Sequence, residues 1–231
     1  FLYWADQMGY LCWGEHGNWG LDISRSEALL SFLPEWTESL ERDYSHPSII
    51  GWCPFNETQS NQNYKIVNYI YKITREIDGT RPVIDTSGWF HTGDTDVFDV
   101  HDYEQDPVEF GKKYESMKSG GMPHISLSRP ESYKPGTPYF VSEFGGIWWA
   151  PGKEGWGYGN SPANENEFIE RYRGLVSYLL NNPKICAFCY TQLTDVEQEV
   201  NGLYTYDRKA KFDPATMHAI TSQKAAIEGD I

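Results

Sequence analysis

Positive charge is scarce in this 231-residue sequence: 19 Lys and Arg stand against 33 Asp and Glu, a formal net charge of −14. A phosphate backbone is bound through clustered cations, so this balance argues against nucleic acid as a partner. Long apolar runs are missing too. None approaches the roughly 18 residues of a membrane span, and no basic-then-apolar segment marks a signal peptide, so no membrane partner is expected. Cysteine is limited to Cys12, Cys53, Cys186 and Cys189. Each lies in an apolar run, where a thiol behaves as a small hydrophobe, and all four are expected in the core. Cys186 and Cys189 form a C-x-x-C, but residues 185–190 read as a strand, on which that spacing turns the side chains to opposite faces. That argues against a metal or redox pair, and no zinc spacing, phosphate-binding glycine motif or nucleophile elbow occurs elsewhere. Aromatics are plentiful: 9 Trp, 16 Tyr and 11 Phe suit flat apolar ligands as well as cores.

Periodicity predicts alternating helices and strands. A helix over residues 1–8 stops at Gly9 and is followed by a strand over 10–15. Leu29, Phe32, Leu33, Trp36, Leu40 and Tyr44 repeat at helical spacing over 26–44, with Pro34 marking a kink or a late start. A strand over 48–52 and a helix over 61–77 follow, then strands over 83–85, 97–100 and 139–142. A weaker helix near 107–118 and a Gly/Pro-rich loop separate the last two. Asn164 with Glu167 is a capping-box signature for a helix behind it. The last strand is 185–190, and a closing helix covers 214–227. About six short apolar strands interleaved with helices imply a parallel α/β sheet, doubly wound or a barrel, in one domain.

In such folds the active site gathers beyond the C-terminal ends of the strands. Four endings carry chemistry. The first strand ends at Glu15, and the run over 48–52 leads into Cys53-Pro54-Phe55-Asn56-Glu57. The strand over 97–100 ends at His101-Asp102-Tyr103, and that over 139–142 at Glu143-Phe144-Gly145-Gly146. Trp13, Trp19, Trp52, Trp89, Trp148, Trp149, Trp156 and Tyr158 crowd the same ends. A glycosidic bond is cleaved by one carboxyl that protonates the leaving oxygen and a second that attacks the anomeric carbon or activates water, while aromatic faces stack on the sugar. Glu57 and Glu143 are the candidate pair. Trp13 and Trp52 lie within strands and are expected to pack. Trp148, Trp149, Trp156 and Tyr158 follow Glu143 in a Gly-rich loop, where sugar stacking and packing weigh equally. Asp94, Asp96 and Asp99 alternate in a short loop that reads as solvated or turn-forming rather than as a cation site.

The segment Arg42-Asp43-Tyr44-Ser45-His46-Pro47-Ser48-Ile49-Ile50-Gly51-Trp52-Cys53-Pro54-Phe55-Asn56-Glu57 resembles the acid/base signature of glycoside hydrolase family 2, the β-galactosidase, β-glucuronidase and β-mannosidase family. Pro138-Tyr139-Phe140-Val141-Ser142-Glu143-Phe144-Gly145 resembles its nucleophile segment, and residues 191–203 resemble its last barrel strand and following loop. Trp4-Ala5-Asp6-Gln7-Met8-Gly9 is similar to the helix before its third strand. The resemblance implies a (β/α)8 barrel of the TIM type that retains anomeric configuration, with about strands 3 to 8 present. It implies Glu57 as acid/base, Glu143 as nucleophile, Asn56 on the sugar 2-hydroxyl, and Tyr103 touching the nucleophile beside His101. Glu15 matches a carboxylate that binds sugar or a metal in some members. Trp148, Trp149 and Asp195 complete the expected substrate contacts, and His46 is expected to be structural. Cys53-Pro54-Phe55 replaces the more usual small residues before Asn-Glu.

The resulting expectation is a retaining β-glycosidase, β-galactosidase-like, with β-glucuronidase or β-mannosidase specificity as alternatives. It acts on a glycoside, oligosaccharide or polysaccharide. No cofactor is expected, although a divalent or monovalent cation is compatible with the resemblance, and no metal ligands are assigned. The start at Phe1 inside an apolar-periodic segment suggests that residues 1–231 are a single catalytic barrel domain, the C-terminal part of a longer multidomain parent. An unclosed seam would then expose apolar edges, favour homo-oligomers or leave the chain inactive. Two rival readings are a carbohydrate-binding or scaffold module that keeps the aromatic cleft without turnover, and a metal-dependent hydrolase using His101, Asp102 and Glu15. Core cysteines fit the cytoplasm and a lost signal peptide fits a secreted or periplasmic protein, which leaves the compartment open.

Overall fold

Local chemistry sets most element ends. In the structure, a computed structural model describing residues 1–127 and 132–229, α1 (Leu2–Met8) ends where Gly9 turns left-handed at φ 67°. The chain continues as β1 (Cys12–Glu15), α2 (Ser26–Asp43), β2 (Ile49–Cys53), α3 (Tyr64–Ile77), β3 (Phe98–Asp102), α4 (Pro107–Lys118), β4 (Tyr139–Gly145), α5 (Glu165–Leu180), β5 (Ile185–Thr191) and α6 (Pro214–Thr221). A short 3₁₀ turn, Ala226–Glu228, follows α6. Asn63, Asp106, Asn164 and Asp213 each accept a backbone N–H at a helix start. Residues 128–131 of the expected Gly/Pro-rich loop lie outside the described residues. No helix among the described residues is long and apolar enough to cross a membrane. The chain divides into two compact units, residues 1–100 with 125–138, and residues 101–124 with 139 onward.

In the first unit β1 and β2 pair in parallel, with Gly14 opposite Trp52 and Trp13 opposite Gly51. A Cβ on Gly14 would collide with the Trp52 indole, and one on Gly51 with the Trp13 indole. Each glycine therefore makes room for the neighbouring strand's tryptophan. Phe32, Trp36 and Leu40 of α2 and Val67 and Ile70 of α3 cover this sheet with Ile49, Trp52 and Phe55. Phe32 stacks on Phe55 at 4.6 Å. The buried indoles keep their N–H groups bonded, Trp36 to Thr74 Oγ1 and Trp52 to Asp78 Oδ2, both at 2.8 Å. The second helix runs unbroken through Pro34, so the late start is not found.

The expected strand over 83–85 is instead two isolated parallel bridges, Trp52 to Val83 and Asn56 to Ser87. Pro82 has no N–H to give. The Val83 and Asp85 N–H groups go to side chains, Asp96 Oδ2 at 2.9 Å and Thr95 Oγ1 at 3.3 Å, rather than to another strand.

The three-stranded sheet runs β3-β4-β5, with β4 and β5 parallel. The α5 helix buries Phe168, Tyr172, Leu175, Val176, Leu179 and Leu180. Only half of its capping box forms: Asn164 accepts Glu167 N–H at 3.0 Å, while the Glu167 carboxylate accepts from Ala163 N–H at 2.8 Å. Two strand ends lie farther along than expected. Pairing of Phe144 with Tyr190 and of Gly145 with Thr191 carries β4 past Glu143, and β3 continues through Asp102. The cysteines also divide: Cys12 and Cys53 are buried, but Cys186 and Cys189 are exposed. As the edge strand of this sheet, β5 leaves much of its apolar run uncovered.

Candidate active site

In the first unit the chain leaves β2 through buried Cys53, Pro54 and Phe55 before reaching half-buried Asn56 and Glu57. The Asn56 backbone N–H donates to Asn18 Oδ1 at 2.6 Å, and its side-chain Oδ1 accepts from Ser87 Oγ at 3.0 Å. Glu57 has φ 47°, a left-handed conformation that costs a non-glycine residue about 1–2 kcal/mol. Its N–H is held by Ser87 O at 2.9 Å. Glu57, Asn56 and Asn18 line a cavity of about 240 Å³ shared with Trp19, Leu21 and Gln62. Trp19 is 66% exposed and sets its edge against Trp89 at 5.7 Å. Glu15 is exposed at the end of β1, 3.4 Å from Ser87 Oγ.

The segment leading into β2 explains its own motif. His46 Nδ1 lies 2.6 Å from Asp6 Oδ2, and Ser48 N–H donates to Asp6 Oδ1 at 3.0 Å. The Ser48 and His46 hydrogen bonds draw the Asp6 carboxyl down to about 2. Arg81 donates to the carbonyls of Tyr44, His46 and Ile49 at 2.7–3.0 Å and pairs with Asp78 at 2.6 Å. His46 is thus a structural pin. Asp94 and Asp96 are ion-paired, with Lys134 and Arg75, and Asp99 is fully buried.

In the second unit Glu143 is half-buried near the C-terminal end of β4. The Tyr103 hydroxyl donates to Glu143 Oε2. Thr191 Oγ1 lies 3.5 Å from the same oxygen, and His101 Nε2 lies 3.5 Å from Oε1. Burial pushes the Tyr103 phenol far above its ordinary range, and the adjacent Glu143 charge adds to the shift. The phenol therefore remains a proton donor. Its ring stacks on Tyr158 at 3.5 Å with 3° between planes. Gly146, at φ 56°, is the residue over which Tyr158 lies, and a Cβ there would strike that ring. Gln105 Nε2 donates to Gly145 O at 2.5 Å and Tyr103 O at 3.0 Å, tying the two strand ends together.

Other expected residues occupy different surroundings. His101 is a buried residue within β3 rather than beyond its end. Asp102 is buried against Lys113 Nζ at 2.7 Å and Tyr114 Oη at 2.9 Å, an arrangement that turns it away from metal chemistry. Asp195 is buried too, with Lys211 Nζ at 2.6 Å and Gly202 N–H at 2.9 Å on one oxygen, so it closes a turn. Trp149 packs on Phe168 and Phe212 at 6.1 and 6.3 Å. Trp148 is half-buried beside it, and Trp156 is 42% exposed with its ring edge-on to Tyr158.

Asn18, Ser87 and Thr191 were missed. Asn18 stands three residues beyond Glu15, and Thr191 ends the last strand, so the strand-end rule applies to both. Nothing in the local pattern of Thr86-Ser87-Gly88 marks the serine, because its contacts come from tertiary pairing.

Carboxylates near the ends of parallel strands that alternate with helices define a class, the parallel α/β folds whose sites lie at the C-terminal ends of the strands. Residues 11–150 match the family described as glycosyl hydrolases family 2, TIM barrel domain, and the chain belongs to that family. It is similar to a beta-galactosidase from Priestia megaterium, 34% identical over 94 residues, covering 37% of this chain and 9% of the relative. Its backbone is similar to that of a GH2 beta-galacturonidase from Eisenbergiella tayi bound to galacturonate, with TM-score 0.73 and 18% identity over 97% of this chain and 43% of that one. It is also similar to a beta-glucuronidase from an uncultured Clostridium sp., with TM-score 0.69 and 17% identity over 96% of this chain and 41% of that one. At these identities the structural likeness establishes the fold. The chain spans less than half the length of each of these relatives.

Proposed function

We propose that this chain carries the catalytic carboxylates of a retaining β-glycosidase. Glu143 attacks the anomeric carbon and forms a glycosyl-enzyme ester while Glu57 protonates the departing oxygen. Glu57 then takes a proton from the water that releases the sugar, and Glu143 leaves as carboxylate. Asn56 binds the 2-hydroxyl, a bond that strengthens as the oxocarbenium-like transition state develops. The observation that carries the reading is the setting of Glu143. A phenol kept protonated by burial donates to one carboxylate oxygen, and His101 stands beside the other. The phenol donor fixes one oxygen of the carboxylate as a hydrogen-bond acceptor and so orients the group that would attack carbon.

A β-galactoside is the proposed substrate, supported by the name of the curated relative; the galacturonidase and glucuronidase among the structural relatives make β-uronides the comparison. The test uses the full-length protein on aryl β-galactoside, β-galacturonide, β-glucuronide and β-mannoside. Proton NMR should show the β-anomer released first. A slow 2-deoxy-2-fluoro glycoside should add one sugar mass to wild type and none to Glu143→Gln. Release of the α-anomer, or labelling of Glu143→Gln, refutes the assignment.

A further inference from the structure

Ser87 touches the proposed acid/base segment three times. Its carbonyl accepts Glu57 N–H at 2.9 Å, its N–H donates to Phe55 O at 2.7 Å, and its hydroxyl donates to Asn56 Oδ1 at 3.0 Å. The hydroxyl contact has a chemical consequence. With Oδ1 engaged by Ser87, the Asn56 amide directs its Nδ2, which only donates, elsewhere. A sugar hydroxyl meeting Asn56 would then meet an N–H donor.

The turn that carries Ser87 has its own anchor. Asp85 accepts Thr86 N–H at 2.9 Å, Thr92 N–H at 2.7 Å and Thr92 Oγ1 at 2.8 Å. Asp99 Oδ2 accepts Gly88 N–H at 3.0 Å. His91 lies between the two, with Nδ1 2.7 Å from Asp85 Oδ1 and Nε2 2.8 Å from Asp99 O. Both ring nitrogens face acceptors, so both carry protons and the ring is an imidazolium. Burial alone would discharge it, but the Asp85 and Asp99 charges and hydrogen bonds prevail and hold its pKa up to about 10. His91 is 2% exposed, and Asp85 and Asp99 are fully buried. The cluster thus fixes the ends of the turn 85–92 from within. Thr86 Oγ1 donates to Thr58 Oγ1 at 2.8 Å, linking the residue before Ser87 to the residue after Glu57.

We propose that Ser87 is a positioning residue that orients the Asn56 amide toward the sugar 2-hydroxyl and steadies Glu57, with His91 anchoring its turn. The inference rests on the glycosidase reading above. Its test is a double-mutant cycle in the full-length protein, using an aryl β-glycoside and its 2-deoxy analogue. Ser87→Ala should lower kcat/KM for the 2-hydroxy substrate about tenfold, the effect of one lost hydrogen bond, chiefly through kcat. It should leave the 2-deoxy substrate within about twofold of wild type, since no 2-hydroxyl is there to be oriented. On an Asn56→Ala background the same substitution should have no further effect, whereas independent sites would add. His91→Gln, which loosens the whole turn, should lower the rate on the 2-hydroxy substrate at least as far and lower the 2-deoxy rate as well, through the Ser87 carbonyl on Glu57 N–H; the Ser87 cycle decides the matter whether or not that variant folds. Equal losses on both substrates, additive effects with Asn56→Ala, or a wild-type rate in Ser87→Ala would overturn the proposal. Glu57→Gln separates the two levels: if it abolishes turnover while the Ser87 cycle is additive, only the positioning role falls, and if it stays active, both fall.

Discussion

Removing the Tyr103 hydroxyl while keeping its ring isolates one contact. In Tyr103→Phe the ring can keep its stack on Tyr158 at 3.5 Å, so the wall beside Glu143 retains its shape. What disappears is the donor to Glu143 Oε2. Thr191 Oγ1 and His101 Nε2, each 3.5 Å from a carboxylate oxygen, are at the limit of useful hydrogen bonding and replace it poorly. A hydrogen bond to a charged group contributes about 1.5–3 kcal/mol, so kcat/KM should fall about 10- to 100-fold. The loss should appear in kcat and equally in the rate of labelling by a 2-deoxy-2-fluoro glycoside, because in the proposed mechanism both require attack by Glu143. Since burial and the Glu143 charge hold the phenol protonated far into the alkaline range, the alkaline limb of the pH–rate profile should be the same in wild type and variant. A folded Tyr103→Phe protein with kcat/KM within about threefold of wild type would refute the reasoning.

Three further outcomes concern stability. The folded His91 pKa, up to about 10, exceeds its unfolded value of 6.5, so its contribution is fully present below 6.5 and is lost as pH rises through 10. Urea titrations should accordingly show the deficit of His91→Gln to be largest at low pH and shrinking toward pH 10; a pH-independent gap would contradict the buried imidazolium. Leu40→Ala, at a fully buried position in α2, should cost about 2–5 kcal/mol in denaturant unfolding. Lys211→Met should cost about 3 kcal/mol by leaving buried Asp195 without its 2.6 Å partner, measured as a lower urea midpoint.

Much of the fold was legible because it rests on local rules. Gly9 ending α1, Asn164 starting α5 and the apolar stripes of α2 and α3 follow from conformational preference and burial along single helices. Strand ends were read less well. The tail of β4 exists because Phe144 and Gly145 find partners on β5, whereas of residues 83–85 only Ile84 gives its N–H to a strand, Trp52 O of β2, while side chains take those of Val83 and Asp85. The exposure of Cys186 and Cys189 depends likewise on β5 being an edge strand, which no apolar run announces.

The amino-acid order by itself determined that apolar strands alternate with helices, that Glu57 stands just beyond one strand and that Glu143 stands near the end of another, since these properties need only neighbours in the chain. Tertiary structure alone decided what each polar group meets. It gave Glu143 a phenol from forty residues away and gave Asn56 a serine from a strand that barely forms; it closed Asp195 against Lys211 and set a charged imidazole between two aspartates. The reason is physical: burial and backbone hydrogen bonding select elements through short-range pattern, whereas the partner of a polar side chain is set by which elements the fold brings within about 3 Å.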